Sequence, residues 1–121
     1  MKQTLLIITA LMLMLGCSKV EGKQDLIPVV ETYDNGMVKE IKYHKKTRDG
    51  IELVKGETYY SSGQKESEGT YKDGIEDGLE TWWYENGQKK YERTYKDREM
   101  ISAKCWFEDG NEMDCPGWMM E

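Results

Sequence analysis

Polar and apolar residues follow two different patterns in the two parts of this chain. Leu5 to Leu15 is an apolar run that only Thr9 interrupts. From about residue 32 onward, aromatic, β-branched and charged residues alternate over short stretches, and the i, i+4 apolar spacing of a helix is absent. Alternation with a period of two is typical of strands. The pattern predicts a short apolar leader followed by an all-β domain.

The first 16 residues have the layout of a secretory signal peptide. Lys2 supplies a positive charge, the apolar run follows, and the small residue Gly16 precedes Cys17. A signal peptide needs an apolar segment of about 7–15 residues, whereas a membrane-spanning helix needs roughly 20. We therefore predict a signal peptide over residues 1–16, in preference to a buried N-terminal helix.

The residues around the cleavage point resemble the lipobox of bacterial lipoproteins. Met14-Leu15-Gly16-Cys17 departs from that motif only where Met14 replaces the usual leucine. The resemblance implies that Cys17 is acylated and becomes the N-terminus. Several acyl chains, at about 0.8 kcal/mol per buried CH₂ group, would form a stable membrane anchor. If the source is a Gram-negative bacterium, Ser18 in place of aspartate resembles lipoproteins sorted to the outer membrane, which implies the periplasmic face of that membrane; the general expectation is a lipid-anchored protein of the bacterial cell envelope. Residues 17–31 are predicted to be the lipidated cysteine and a flexible tether.

The rest of the chain contains an internal repeat. One turn-like segment, with an aromatic residue three positions before a glycine, recurs at Tyr33-Gly36, Tyr60-Gly63, Tyr84-Gly87 and Phe107-Gly110. A second pattern, Thr70 to Gly74, recurs as Thr94 to Arg98. A period of about 24 residues corresponds to two strands and two turns. We therefore predict an antiparallel meander of seven or eight short strands.

The turn residues also predict how the strands pair. Asn86-Gly87 and Asp109-Gly110 favour a type I′ turn, because both turn positions then tolerate positive φ. A two-residue loop at Asn86-Gly87 would place Trp82 opposite Tyr91, Trp83 opposite Lys90 and Tyr84 opposite Lys89, and the same register would place Tyr60 opposite Lys65. Alternation would then put Tyr33, Tyr60, Tyr84 and Phe107 on one face of the sheet, and Tyr59, Trp83 and Trp106 on the other.

Composition limits how thick the structure is. Hydrophobic residues make up 38% of the chain, including the leader, and charged residues 33%. A thick two-layer core is therefore not expected. The 4 tryptophans and 8 tyrosines each bury a large area, so they can hold together a mostly single-layer sheet.

The motif WWYENGQKKYERTYKD, preceded by Asp77-Gly78, resembles the bacterial MORN-variant repeat of the YwqK-like family. The resemblance covers about Glu31 to Asp114 and is strongest over residues 56–97; in the last copy Arg98-Glu99 replaces the expected glycine. It implies about three to four hairpin repeats over residues 32–115, with a C-terminal tail at 116–121. It further implies a protein-interaction or scaffold role and no catalytic residues.

Many members of that family carry the label of a toxin–antitoxin system antitoxin. A protein anchored outside the cytosol would have to oppose a toxin that reaches the periplasm. An immunity-type lipoprotein is therefore one alternative function.

The remaining cysteines and the single histidine offer little catalytic chemistry. Cys105 and Cys115 lie symmetrically about Gly110, and an oxidising compartment favours a disulfide between them. A three-residue loop at 109–111 would place the two directly opposite each other. Free thiols and a redox or metal role are the alternatives. His44 is the only histidine and no Cys-x-x-Cys motif occurs, so we expect an exposed, inert His44 and no catalytic residue, metal or cofactor.

Four aromatic residues are the candidates for a binding site: Tyr59, Trp82, Trp83 and Trp106. They either pack against neighbouring strands or form a platform for a protein partner or a glycan. The sequence does not decide which of Trp82 and Trp83 faces outward. The net charge of −6 disfavours nucleic acid as a partner and suits a basic protein.

Overall fold

A computed structural model describes residues 25–120 and places them in a single antiparallel sheet. Each strand pairs with the next one along the chain, so the sheet is a simple meander. Its strands are β1 (Ile27–Thr32), β2 (Val38–Thr47), β3 (Gly50–Tyr59), β4 (Lys65–Lys72), β5 (Ile75–Trp83), β6 (Lys89–Lys96), β7 (Glu99–Trp106) and β8 (Glu112–Met113). A short 3₁₀ turn, Gly117–Met119, follows. The predicted all-β hairpin meander is confirmed.

The predictions for residues 1–31 have two different outcomes. The signal peptide and Cys17 lie outside the described residues and stay predictions. The predicted tether is too long, because its last residues, 27–31, belong to β1. Val29 and Val30 pair there with Lys42 and Ile41 of β2, and β-branched residues of this kind favour a strand. Among residues 25–120, no helix has the length and apolar character needed to cross a membrane.

The turns after the aromatic residues are longer than the sequence predicted. At Asn86-Gly87 the amide of Tyr84 donates to the carbonyl of Gln88 (2.8 Å) and the amide of Gly87 donates to the carbonyl of Tyr84 (3.0 Å). The loop therefore has three residues, and only Gly87 has a positive φ, +86°. This is a type I turn with a glycine bulge. The side chain of Asn86 favours it by accepting the Gln88 amide (2.9 Å).

The extra loop residue corrects the predicted register next to the turns. Trp82 does lie opposite Tyr91, but Trp83 lies opposite Lys89 rather than Lys90. In the preceding repeat, Tyr59 and not Tyr60 lies opposite Lys65.

Type I′ geometry occurs at the other end of the strands. Asp73-Gly74 and Asp97-Arg98 each form a two-residue loop in which both residues have positive φ. Arg98 has φ +69° where the matching position of the previous repeat is Gly74. A side chain in the left-handed region is strained, so the last repeat keeps the turn at a cost in stability.

Consecutive hairpins are connected by tyrosine hydroxyl groups. Each of these hydroxyls donates to the backbone carbonyl that precedes the matching aromatic residue of the next repeat: Tyr33 to Tyr59 (2.7 Å), Tyr60 to Trp83 (2.7 Å) and Tyr84 to Trp106 (2.9 Å). The fourth copy has Phe107, which has no hydroxyl, and the described residues contain no hairpin beyond it. The repeated tyrosine therefore aligns each hairpin on its neighbour.

Little of the sheet is buried, as its composition predicted. Among the described residues, only Cys105 and Met119 are apolar and buried, at 3% and 6% exposure. The other buried residues are polar: Glu57, Ser67 and Thr81. Apart from the C-terminal tail, residues 25–120 form no second layer over either face of the sheet, so hydrogen bonds and ion pairs on its surface matter more than in an ordinary domain.

Replacing Tyr84 with phenylalanine should lower the free energy of unfolding by about 1 kcal/mol, because it removes a half-buried hydrogen bond between repeats. Urea unfolding monitored by tryptophan fluorescence measures the change. Phe107→Tyr is the matched control: it adds a hydroxyl where no following repeat offers a carbonyl, and should leave stability almost unchanged. Equal effects of the two variants would contradict the role given to the tyrosines.

Candidate binding site

The structure places Trp82 and Trp83 on opposite faces of the sheet, and both are half-buried. Trp82 pairs across β5 and β6 with Tyr91, and the two rings stack with centroids 5.6 Å apart. Trp83 pairs with Lys89 and lies on the same face as Tyr59 and Trp106. The two tryptophans therefore belong to two different surfaces.

On the Trp83 face, aromatic rings and lysines alternate across five strands; we call this row the ring–lysine face. Its members, from β3 to β7, are Tyr59, Lys65, Trp83, Lys89 and Trp106. The amine of Lys65 lies 6.0 Å from the centre of the Tyr59 ring and 5.9 Å from that of Trp83. The amine of Lys89 lies 5.7 Å from the Trp106 ring. Cation–π contacts of this kind stabilise by about 0.5–1 kcal/mol at exposed sites, so these rings already have partners within the sheet.

Glu57 is the electrostatic centre of the ring–lysine face. Its carboxylate is almost fully buried and lies 2.8 Å from the amine of Lys55 and 3.3 Å from that of Lys65. The hydroxyls of Tyr59 and Tyr43 donate to it at 2.8 and 3.2 Å. Burial alone would raise the pKa of Glu57, but the hydrogen bonds from Lys55 and Tyr59 and the charge of Lys65 outweigh it and lower the pKa to about 2. The same carboxylate, together with burial, raises the pKa of Tyr59 to about 12.

Glu57 should therefore make the sheet acid-sensitive. A carboxyl whose pKa falls from 4.5 to about 2 on folding stabilises the fold fully above pH 4.5, and the contribution is lost as the pH falls towards 2. Glu57→Gln should be less stable than the wild type by about 2 kcal/mol at pH 7, and the difference should shrink over that acidic range. Denaturant unfolding at several pH values measures it. Glu85→Gln, which changes an exposed carboxylate in a turn, is the matched control; a constant gap between wild type and Glu57→Gln would contradict the assignment.

On the Trp82 face, the side chains are fixed by a second network. The indole N–H of Trp82 donates to Glu80 at 2.7 Å, and Arg93 donates to the same carboxylate at 2.8 Å. The guanidinium of Arg93 also lies 5.1 Å from the Tyr91 ring and 5.6 Å from the Tyr95 ring. Burial, opposed by the charge of Arg93, raises the pKa of Tyr91 to about 12. Trp82 is therefore held in one orientation by its indole nitrogen and by Tyr91.

The C-terminal tail folds back on this face and is tied to β7. Cys105 and Cys115 form a disulfide with the sulfurs 2.09 Å apart. They are not directly opposite, since Cys105 pairs with Met113; the predicted 109–111 loop is displaced by one residue, because Phe107 pairs with Asn111. Met119 is buried against Cys105, with the two sulfurs 3.6 Å apart. The tail is therefore fixed by one covalent and one apolar contact.

An open, largely apolar groove of about 230 Å³ lies between the tail and the sheet, and we call it the C-terminal groove. Trp118 is 72% exposed at its rim, although its neighbour Met119 is buried. The lining residues are Trp82, Tyr84, Lys90, Tyr91, Cys105, Trp106, Met113, Pro116, Trp118 and Met119. Trp118 is therefore an exposed aromatic residue beside an apolar groove.

The residues next to the groove are acidic. The hairpin between β7 and β8 carries Glu108, Asp109, Glu112 and Asp114, all exposed, and no lysine or arginine lies between Phe107 and Glu121. The amine of Lys90 lies 5.5 Å from the Tyr84 ring at the other rim. The groove is thus largely apolar inside, and the hairpin that contributes Met113 to its lining is acidic.

Of the four predicted binding candidates, two line the C-terminal groove and two do not. Trp82 and Trp106 line it, whereas Tyr59 and Trp83 lie on the ring–lysine face. Trp106 also borders a second, shallower groove with Trp83 and Lys89. Sequence reasoning missed Trp118 as a site residue. The signal available was Pro116-Gly117, which begins a turn just before a tryptophan and two methionines.

His44 differs from its prediction, because it is half-buried rather than exposed, and its Nδ1 has no hydrogen-bond partner. It pairs with Ile27 and Leu53 on the neighbouring strands, which explains the burial. Over residues 25–120, no group of three or more histidine, cysteine, aspartate or glutamate side chains could hold a metal ion.

A chain of hairpins joined at regular spacing defines a β-hairpin repeat protein. Two of its segments, residues 54–73 and 76–97, match the MORN repeat variant family. Each match covers one period: the first includes the turn at Gly63 and the second the turn at Gly87. The MORN part of the predicted resemblance is confirmed, while the YwqK-like family stays a prediction. A comparison with curated proteins finds no match.

Proposed function

We propose that the mature protein is a lipid-anchored, non-enzymatic repeat module of the bacterial cell envelope that binds a basic protein partner through the C-terminal groove. The exposure of Trp118 is the observation that carries this proposal. An indole that is 72% exposed while the adjoining Met119 is buried is not needed for the packing of the tail. Tryptophan is among the residues that contribute most at protein interfaces.

Rigidity of the groove supports binding of a protein. The Cys105–Cys115 disulfide and Met119 fix one wall, and the stacked pair Trp82 and Tyr91 forms the other. A site whose walls are fixed before binding loses less conformational entropy when a partner binds. Met120 is 60% exposed and adds apolar surface beside Trp118 in the tail. Contiguous exposed apolar surface of this kind marks interaction sites.

The acidic residues of the hairpin between β7 and β8 favour a basic partner. A basic protein with an apolar side chain at the contact would fill the groove and place its positive charges next to Glu108, Glu112 and Asp114. Opposite charges at the rim of an interface mainly accelerate association and select the partner. An immunity-type role against a basic toxin that reaches the periplasm is one form of this function. The lipid on Cys17 would hold the module at the membrane where such a partner arrives.

The single-layer repeat sheet supports a non-enzymatic role. MORN repeats generally act as non-catalytic modules. The carboxylates of Glu57 and Glu80 are each engaged in ion pairs and hydrogen bonds within the sheet. Their carboxylates serve to fix aromatic and basic side chains on the two faces.

A photo-crosslinking amino acid in place of Trp118 should form an adduct with one basic protein in intact cells, because the groove anchors the partner there. Position 79 is the matched control, since Leu79 is also exposed, at 52%, but lies outside the groove. Trp118→Ala should weaken binding of the captured protein by at least about tenfold, and Leu79→Ala should not. Cys17→Ser should move the protein out of the membrane fraction. Equal adducts from both positions, or an acidic partner, would contradict the proposal.

Glycan binding is a second candidate, and the groove between Trp83 and Trp106 favours it. This groove has a volume of about 440 Å³ and is bordered by two indoles, the amine of Lys89 and the amide of Gln88. Such a set could stack on a sugar ring and donate hydrogen bonds to its hydroxyls. Titration with soluble peptidoglycan fragments should then shift tryptophan fluorescence, and Trp83→Ala should abolish the shift while Trp118→Ala keeps it. No shift in the wild-type protein would remove this candidate.

A further inference from the structure

Consecutive hairpins are joined by three kinds of side-chain contact; the first and third hairpins make all three, and the second, which has Ser62 in place of the asparagine, makes two. The tyrosine hydroxyl described above is the first contact. The second is an asparagine amide that donates to a carbonyl in the next turn: Asn35 to Ser61 (3.2 Å) and Asn86 to Glu108 (2.9 Å). In the third, the residue after each glycine approaches the next glycine: Met37 approaches Gly63, Gln64 approaches Gly87 and Gln88 approaches Gly110. These contacts define a donor side and an acceptor side for every hairpin.

The first hairpin has an acceptor side with the same backbone groups, and the described residues leave it unoccupied. By position in the repeat, the carbonyl of Thr32 corresponds to those of Tyr59, Trp83 and Trp106, and the carbonyl of Asp34 to those of Ser61 and Glu108. Among residues 25–120, no side chain donates to either carbonyl, whereas the equivalents named here all accept one. Gly36 has φ +83° like the later glycines, and no atom of the described residues lies within 4 Å of a Cβ built on it.

The outer edge of the strand on that side is not paired with any strand of residues 25–120. β1 is the edge of the sheet, and Val29 and Val30 are each 51% exposed on its two faces. The amide of Tyr33 points into the hairpin, so by alternation the backbone groups of Thr32, Val30 and Pro28 point outward. Pro28 has no N–H, which limits pairing at this edge to the half of β1 near the turn. That half carries Thr32 and leads to Gly36.

The chain itself lacks a suitable donor for this acceptor side. Its last hairpin has Phe107 in place of the tyrosine and Asp109 in place of the asparagine, so both donor groups are missing. The short strand β8 and the disulfide-linked tail also cover that end of the sheet. Residues 1–24 contain neither tyrosine nor asparagine. Head-to-tail stacking of two copies is therefore disfavoured.

We propose that the β1 edge docks a hairpin repeat of the same kind from a different protein, one that carries tyrosine and asparagine at the positions of Tyr84 and Asn86. The incoming hairpin adds its second strand to β1, as β2, β4 and β6 pair with the strands that follow them. Its tyrosine donates to the carbonyl of Thr32, its asparagine donates to the carbonyl of Asp34, and the residue after its glycine packs on Gly36. This surface is separate from the C-terminal groove and does not depend on the partner proposed there.

A closed hairpin peptide tests the docking directly. The probe is residues 79–94 with Leu79→Cys and Thr94→Cys, positions that lie opposite each other in β5 and β6, joined by a disulfide. Titrated into the mature chain carrying Cys17→Ser, it should shift the NMR amide signals of Val30, Thr32 and Gly36. The control peptide also carries Tyr84→Phe and Asn86→Asp, the residues found in the last hairpin. It should bind at least about fivefold more weakly, since a hydrogen bond contributes about 1 kcal/mol.

A second experiment does not require the isolated peptide to fold on its own. A copy of residues 75–98 is inserted directly before Asp25, which leaves the same spacing to Tyr33 that separates Arg98 from Phe107. The lengthened chain should unfold at a higher urea concentration than its matched control, in which the inserted copy carries the same Tyr→Phe and Asn→Asp changes.

The two formats give clear outcomes. A difference between donor and control versions in either format, with signals shifted at the β1 edge, supports the proposal. Equal behaviour of donor and control versions in both formats overturns it, as do shifts confined to β7 and β8. Concentration-dependent dimerisation of the protein alone, with Val30 and Thr32 protected from hydrogen exchange, would assign the edge to a second copy and also overturn it. Trp118→Ala should leave peptide binding unchanged, so failure of the groove proposal is distinguishable.

Discussion

The hydrogen bond from a tyrosine hydroxyl to the next repeat's backbone is the interaction on which this sheet depends. A single layer has no opposite layer against which to bury its side chains, and only Cys105 and Met119 are apolar and buried in the described part of the chain. Strand pairing alone would hold neighbouring strands together but would leave each hairpin free to slide along its neighbour. The hydroxyls of Tyr33, Tyr60 and Tyr84 fix that register at the turns, where the strands end.

The same lack of a core explains why charged residues occupy the middle of both faces. Glu57 and Glu80 are shielded from solvent, and each is satisfied by basic and hydroxyl or indole donors from its own or neighbouring strands. The aliphatic parts of the lysines cover the rings while their amines stay near water. Such a surface keeps its aromatic residues partly covered. At the C-terminal end, the tail and the sheet form the C-terminal groove instead, and Trp118 is left exposed there.

The repeat and the fold could be predicted because the information is local. An aromatic residue three positions before a glycine needs only the turn itself to explain it, and four copies at one spacing predict a meander. The register near Asn86 could not be predicted as reliably, because Asn-Gly suits a two-residue loop and a three-residue loop alike. The side-chain bond from Asn86 to Glu108 of the next turn, which lies 22 residues away, favours the longer loop. The predicted pairing of Trp82 with Tyr91 is correct although the loop is longer than predicted, because that pairing is set by the strand residues further from the turn.

The binding site depended on contacts distant in sequence. Whether Trp118 is buried or exposed depends on the disulfide and on Met119 packing against Cys105, 14 residues earlier. A six-residue tail is too short to show a periodic pattern from which such a contact could be predicted. The assignment of Trp82 and Trp83 to different faces, by contrast, followed from alternation, but which of the two lines the C-terminal groove required the position of the tail.

Native-state hydrogen exchange of the mature protein is the most direct measurement of how this sheet is held together. If each hairpin is stabilised mainly by its neighbours, the free energy of exchange should be highest in β4 and β5 and should fall towards both ends, with β1 exchanging fastest. Reduction of the Cys105–Cys115 disulfide should lower the protection of β7 and β8 without changing β3 and β4. One common exchange free energy across all eight strands, unaffected by reduction, would instead show a single cooperative core and contradict the repeat-by-repeat stabilisation described here.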